Sequence, residues 1–306
     1  MRNKVQAAAL SIISNTVLIL SKLFVGIFTN SVSIISEAVH SFMDLLAAII
    51  AFFSVKKSSE PADAEHQYGH GKFEDVSGFA EGALILLAAG YIIFESIEKI
   101  ASGKIDYIDS FAGIVVMSLS VIVNIFVSRH LFRVAKQTDS MALLADAEHL
   151  RTDVLTSAGV LAGLILIKLT GIKMLDPVVA IIVAIVIIKA GYDLCSSSLK
   201  NLLDSSLPEE DMDTINRILF DYSFDRIVSF KDLKTRKSGA EKLIEFKIIL
   251  PKTITLQDSH DLCDKIEQDL IENISNATIT IHTEPCESKC AACNLKYCVN
   301  AERVMV

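Results

Sequence analysis

The sequence predicts an α-helical membrane protein, six transmembrane helices followed by a C-terminal cytoplasmic α+β domain of αββαβ order. Three observations predict it. The 306 residues are 51% hydrophobic with a mean hydropathy of +0.45, too apolar for an ordinary soluble chain. Six apolar stretches, approximately 7–28, 32–55, 76–100, 110–135, 142–170 and 175–197, are each long enough to cross hydrocarbon, which takes ~20 residues. After Leu207-Pro208 the pattern becomes polar and shorter in period. It reads as a helix over 209–222, strands over 226–235 and 242–250, a helix over 256–274 and a strand over 277–283. The domains expected are 1–204 (transmembrane), 205–285 (soluble) and a cysteine-rich tail, 286–306.

The first span begins directly after Met1-Arg-Asn-Lys4 with no compact small-residue cleavage site, so an uncleaved helix is expected rather than a signal peptide. The fifth is the least apolar at its start, where Asp146, Glu148, His149, Arg151 and Asp153 crowd together. A span carrying such residues must turn them toward protein or water. Between the two strands of the soluble part, the turn Lys237-Ser-Gly-Ala240 predicts a hairpin, and Pro251 closes the second strand.

Six spans place both termini on one side. Arg2, Lys4, Lys56, Lys57, Lys72, Arg129, Arg133, Lys136 and Lys200 fall on that side, against Lys99, Lys104, Lys168 and Lys173 opposite. Basic residues favour the cytoplasm, so the termini and the soluble domain are expected there. From Ser205 onward the chain carries 13 basic and 18 acidic residues, and the first 204 carry 16 and 19. Neither part has the basic surface that nucleic acid requires.

The chemistry lies in two His-x-x-x-Asp pairs inside apolar stretches, His40 with Asp44 and His149 with Asp153. Residues four apart share a helix face, so each pair points an imidazole and a carboxylate the same way. All four residues lie at similar depth. Ionisable groups within a bilayer are unfavourable by roughly 3 kcal/mol each on insertion scales, and two nitrogens with two oxygens suit a tetrahedral zinc ion. A transported divalent metal ion follows, with protons competing for the same side chains. The imidazoles of His40 and His149 titrate nearest neutral pH and are the expected proton carriers. Glu37, one turn before His40, shares its face without being assigned as a ligand.

Asp63, His66 and His70 fall within eight residues of one cytoplasmic loop and offer a second metal site. The six cysteines are Cys195, Cys263, Cys286, Cys290, Cys293 and Cys298. The last four offer a tetrathiolate metal site in a reducing cytoplasm, whereas Cys195 and Cys263 read as buried apolar side chains.

Four motifs carry a family resemblance: Ser36-Glu-Ala-Val-His-Ser-Phe-Met-Asp44, Tyr68-Gly-His-Gly-Lys72, Ala145-Asp-Ala-Glu-His-Leu-Arg-Thr-Asp153 and Ile281-His-Thr-Glu-Pro285. The chain resembles the cation diffusion facilitator family over nearly its whole length. That resemblance implies zinc-type metal/proton antiport by a plasma-membrane, multi-pass homodimer of prokaryotic kind. It implies His40, Asp44, His149 and Asp153 as the transport site and Asp63, His66 and His70 as the loop site. The soluble part resembles the family's metallochaperone-like domain, with His260, His282 and Glu284 at ligand-like positions. Lys231 and Lys247 stand where some zinc-binding relatives have histidine, and an ammonium repels a cation. These lysines are expected to replace part of the metal's charge and to hold the dimer closed. Lys72 and Asp204 match the family's salt bridge at the dimer hinge.

Iron, cadmium, cobalt and manganese are the alternative substrates. A metal-dependent hydrolase is disfavoured because no second histidine follows Glu148-His149 at His-Glu-x-x-His spacing. A membrane metal sensor is the remaining reading of another class; it predicts binding without flux, and no attached output domain is evident. No enzymatic activity is expected.

Overall fold

The computed structural model describes residues 2–28, 32–102, 111–170, 174–223 and 227–287; for 2, 32–40, 43, 111–114, 116, 117, 160–168 and 176 it describes the backbone alone. It divides into two compact units, Met1–Leu202 and Leu203–Val306.

The first unit is six long helices, α1 (Arg2–Phe28), α2 (Val32–Ser58), α3 (Lys72–Ser102), α4 (Phe111–Thr138), α5 (Met141–Thr170) and α6 (Leu175–Leu202). Each expected apolar stretch is thus a helix, extended by a polar turn or two at the ends. Among the described residues, Asn3–Phe28, Lys72–Ser102, Ser118–Thr138 and Pro177–Leu202 are long and apolar enough to cross a membrane. Helix α5 carries the charged run that dilutes its hydropathy, and portions of α2 and α5 lie outside the residues whose side chains are described.

Exposed apolar side chains such as Phe24, Phe53, Leu87 and Phe126 cover the outside, as a lipid-facing bundle requires. Helix α3 packs most extensively on α6. Gly82 sets how closely they approach: a Cβ there would lie 2.7 Å from Cys195 Sγ and 3.2 Å from Gly191 O. Small residues at such crossings let backbones meet in the membrane.

The end of the bundle where α1, α3 and α5 begin is closely packed. Ala7, Ala8, Val55, Leu131, Leu143 and Leu150 are among its fully or nearly fully buried side chains. Beside them, buried Glu74 accepts hydrogen bonds from Lys4 Nζ (3.1 Å), Ser58 Oγ (2.7 Å) and Ser140 Oγ. One carboxylate therefore ties α1, α2, α3 and the start of α5.

The second unit runs α7 (Glu209–Ser223), β1 (Ser229–Ser238), β2 (Glu241–Leu250), α8 (Leu256–Asn273) and β3 (Ala277–Pro285). This is the expected αββαβ order. Gly239, at φ +60°, makes the β1–β2 turn, and the sheet order is β1-β2-β3 with β2 and β3 parallel. Helix α8 is the crossover that a parallel pair needs. Thr255 caps it by accepting from the Asp258 N–H at 3.1 Å. Ile215, Ile218 and Leu219 of α7 meet Leu262, Ile266 and Leu270 of α8 and the alternate residues Ile244, Phe246 and Ile248 of β2 in one core.

Candidate metal sites

Helices α2 and α5 bring Asp44, His149 and Asp153 together, with one ligand atom from each lying within 4.8 Å of the others. His149 and Asp153 are one turn apart on α5, and Asp44 faces them from α2. His149 Nε2 lies 3.3 Å from Asp44 Oδ1. That separation is the edge of a tetrahedron whose bonds are about 2.0 Å, the length of zinc–nitrogen and zinc–oxygen bonds. His149 Nδ1 is buried without a hydrogen bond. The side chain of His40, the expected fourth ligand, and that of Glu37 lie outside the described residues.

A cavity of about 730 Å³ is lined by Asp44 and Asp153 and continues past Asn124 and Tyr91 to Glu95 and Lys99, near the C-terminal end of α3. Glu74 and its ties lie at the other end of the same helix. The cavity therefore connects Asp44 and Asp153 with residues near the end of α3. Three further charged groups that the motifs do not mark as ligands are buried within these helices. Glu81 and Lys22, interruptions of otherwise apolar stretches, are both buried, and Glu81 accepts from Ser77 Oγ at 3.1 Å. Asp146, one turn before His149, is buried as well. The signal for all three was charge inside a span.

The loop between α2 and α3 gathers Asp63, His66 and His70 in the same way. His66 Nδ1 and His70 Nε2 lie 3.4 and 3.3 Å from the two Asp63 oxygens. These nitrogens nonetheless make no hydrogen bond, and His70 is only 2% exposed. Buried imidazole nitrogens converging on a carboxylate at tetrahedral-edge spacing, without hydrogen-bond geometry, fit a bound metal ion. The backbone N–H of His66 donates to Asp63 Oδ1 at 2.6 Å and that of Glu65 at 2.9 Å. The His66 N–H, more than the other groups around it, holds the Asp63 carboxyl below its ordinary range and keeps it an anion.

The soluble unit arranges its ligand-like residues differently. Among the described residues, His260, His282 and Glu284 do not form a metal cluster. His260 pairs with Asp264 on its own helix, and His282 Nε2 lies 3.9 Å from Glu284. Glu284 is taken by Lys231 at 2.7 Å and Lys247 at 3.1 Å, and Lys247 also meets Asp232 at 3.1 Å. The register explains this. Lys231, Lys247 and His282 are neighbours across the three strands, so two like charges face each other and require a carboxylate between them.

Of the tail, Cys286 is half-buried and free, while Cys290, Cys293 and Cys298 lie outside the described residues. Cys195 and Cys263 are half-buried rather than buried; Cys195 Sγ donates to Phe79 O at 3.6 Å. Lys72 Nζ donates to Leu202 O at 3.4 Å, and within the second unit Asp204 accepts from Arg236 at 3.4 Å.

Residues 8–203 match the model of the cation efflux transmembrane domain, and residues 207–286 that of the cation efflux protein cytoplasmic domain. A transporter of Synechocystis sp. is 37% identical over 85% of this chain and 83% of its own length. The cation-efflux pump FieF of Yersinia pestis is 29% identical over 92% of this chain and 93% of its own. A solved structure of CzrB is 31% identical, with a TM-score of 0.26, covering 26% of this chain and 99% of that one.

Proposed function

The chain belongs to the cation efflux family, the cation diffusion facilitators, and from that premise we propose that it exports zinc across the plasma membrane in exchange for protons. One observation carries the reading beyond the family: Asp44, His149 and Asp153 converge inside the helical bundle at the spacing a small tetrahedral ion needs. Imidazole favours zinc over manganese, which prefers carboxylate-rich sites. His40, one turn from Asp44, completes the shell in this proposal.

Metal binds when the carboxylates are ionised and the imidazoles neutral, so protons and the ion compete for one set of atoms. In the proposed orientation the termini are cytoplasmic, and the cavity beyond Asp153 faces the far side. The apolar cluster and the Glu74 ties then form the inner seal of an outward-facing state. Export requires these ties to open for loading and to close before release. Asp63, His66 and His70 would hold a second metal, and its charge would cross-link the loop between α2 and α3. The second unit would join two chains into a homodimer, with Lys72 and Asp204 at the hinge. Lys231 and Lys247 would supply in the soluble unit part of the charge that relatives take from metal.

The test reconstitutes the purified chain in vesicles containing a pH dye and a metal dye, under zinc, iron, manganese or cadmium gradients in turn. Zinc flux with opposite proton movement, absent in Asp153→Ala, is expected. Tight binding without movement of any ion would instead indicate a sensor.

A further inference from the structure

Lys22 is a charged residue well inside α1, and it is turned inward. It is 6% exposed, its Nζ donates to Ser41 Oγ at 2.7 Å, and it lines the same cavity as Asp44 and Asp153. A lysine near a helix end ordinarily snorkels to the membrane surface, where water solvates the ammonium. This one is held instead by a hydroxyl on the neighbouring helix. Ser41 lies one turn before Asp44 on α2, so the ammonium is fixed about one helical turn from a proposed ligand.

A fixed cation beside a cation site has two opposite effects. With no metal bound, it offsets part of the negative charge that Asp44 and Asp153 bring into a low-dielectric bundle. With metal bound, it repels the ion. On the transport reading given above, we propose that Lys22 is a built-in counter-cation of the transport site. It weakens divalent-ion affinity and speeds release into the cavity toward Lys99. Ser41 is the residue that positions it. Lys22 thereby trades affinity for turnover, adding to the release that proton competition at the ligands already drives.

The test compares Lys22→Met, which keeps length and apolar volume, with Lys22→Arg, which keeps charge. Lys22→Gln serves as a second neutral variant because its amide still donates to Ser41. Zinc affinity is measured by titration calorimetry on the full chain in detergent, and the KM and maximal rate of zinc flux in vesicles. The neutral variants should bind zinc about tenfold more tightly, equivalent to about 1.4 kcal/mol, with KM and maximal rate both lowered. Lys22→Arg should stay near the unmutated values. A merely structural lysine would instead give weaker binding or unchanged KM in the neutral variants, and either result overturns the inference while zinc binding by the unmutated chain is intact. If the unmutated chain binds no zinc, the transport reading fails and the counter-cation with it.

Discussion

His149 Nε2 and Asp44 Oδ1 lie 3.3 Å apart although 105 positions separate them in the chain. The contact exists because α5 packs on α2, and it makes half of one His-x-x-x-Asp pair a partner of half the other. Losing either side should therefore disable the whole site. His149→Ala or Asp153→Ala is expected to reduce zinc flux at least about 100-fold, since each removes a donor from the proposed metal shell. Insertion and dimerisation should persist. Vesicle flux alongside size-exclusion chromatography decides it, and normal flux in either variant would refute the assignment.

The Glu74 ties give a second expectation. Its buried carboxylate accepts from Lys4, Ser58 and Ser140, so Glu74→Ala leaves an ammonium and two hydroxyls without their acceptor. Removing one partner of a buried pair destabilises by about 3 kcal/mol or more. Thermal unfolding in detergent should show a clear loss for Glu74→Ala and a smaller one for Glu74→Gln. No change in either would mean that this end of the bundle rests on apolar packing alone.

The helices and the αββαβ order were legible because each rests on a local signal: apolar length for the spans, period and turn chemistry for the soluble part. The residues that converge were legible as well, since Asp44, His149 and Asp153 stand out as ionisable groups in apolar runs. What the sequence could not show was pairing across elements. That Glu284 is captured by Lys231 and Lys247 depends on strand register, which brings residues of β1, β2 and β3 side by side. The inward turn of Lys22 likewise depends on Ser41 of another helix. Cys195 and Cys263 illustrate the converse error: the residue type favours burial, but neither is buried fully.

The α3–α6 crossing separates two glycines on one helix. A Cβ on Gly82 would meet Cys195 Sγ at 2.7 Å and the Cys195 backbone N at 3.1 Å, whereas one on Gly90 would meet nothing within 4 Å. Gly82→Ala should destabilise by about 1–3 kcal/mol, because backbone cannot withdraw as a side chain can. Gly90→Ala should be neutral or stabilising by up to about 1 kcal/mol, the helix-propensity difference. Unfolding of the two variants side by side checks the packing, and equal effects would contradict it.

The lysine clamp in the soluble unit predicts a pH dependence that metal does not share. The hydrogen bond from Lys231, followed by that from Lys247, holds the Glu284 carboxyl below its ordinary range. A folded-state value lower than the unfolded one adds stability that is fully present above the ordinary carboxylate range and is lost as pH falls through the depressed value. Exchange of the β1 and β2 amides, corrected for intrinsic rates, should therefore quicken on acidification in the unmutated chain, with a smaller acid response in Glu284→Gln. Because Lys231 and Lys247 already neutralise Glu284, adding a metal chelator at neutral pH should leave that exchange unchanged. Chelator-induced opening at the level of Glu284→Gln would show instead that a metal, not the two lysines, fixes this edge of the sheet.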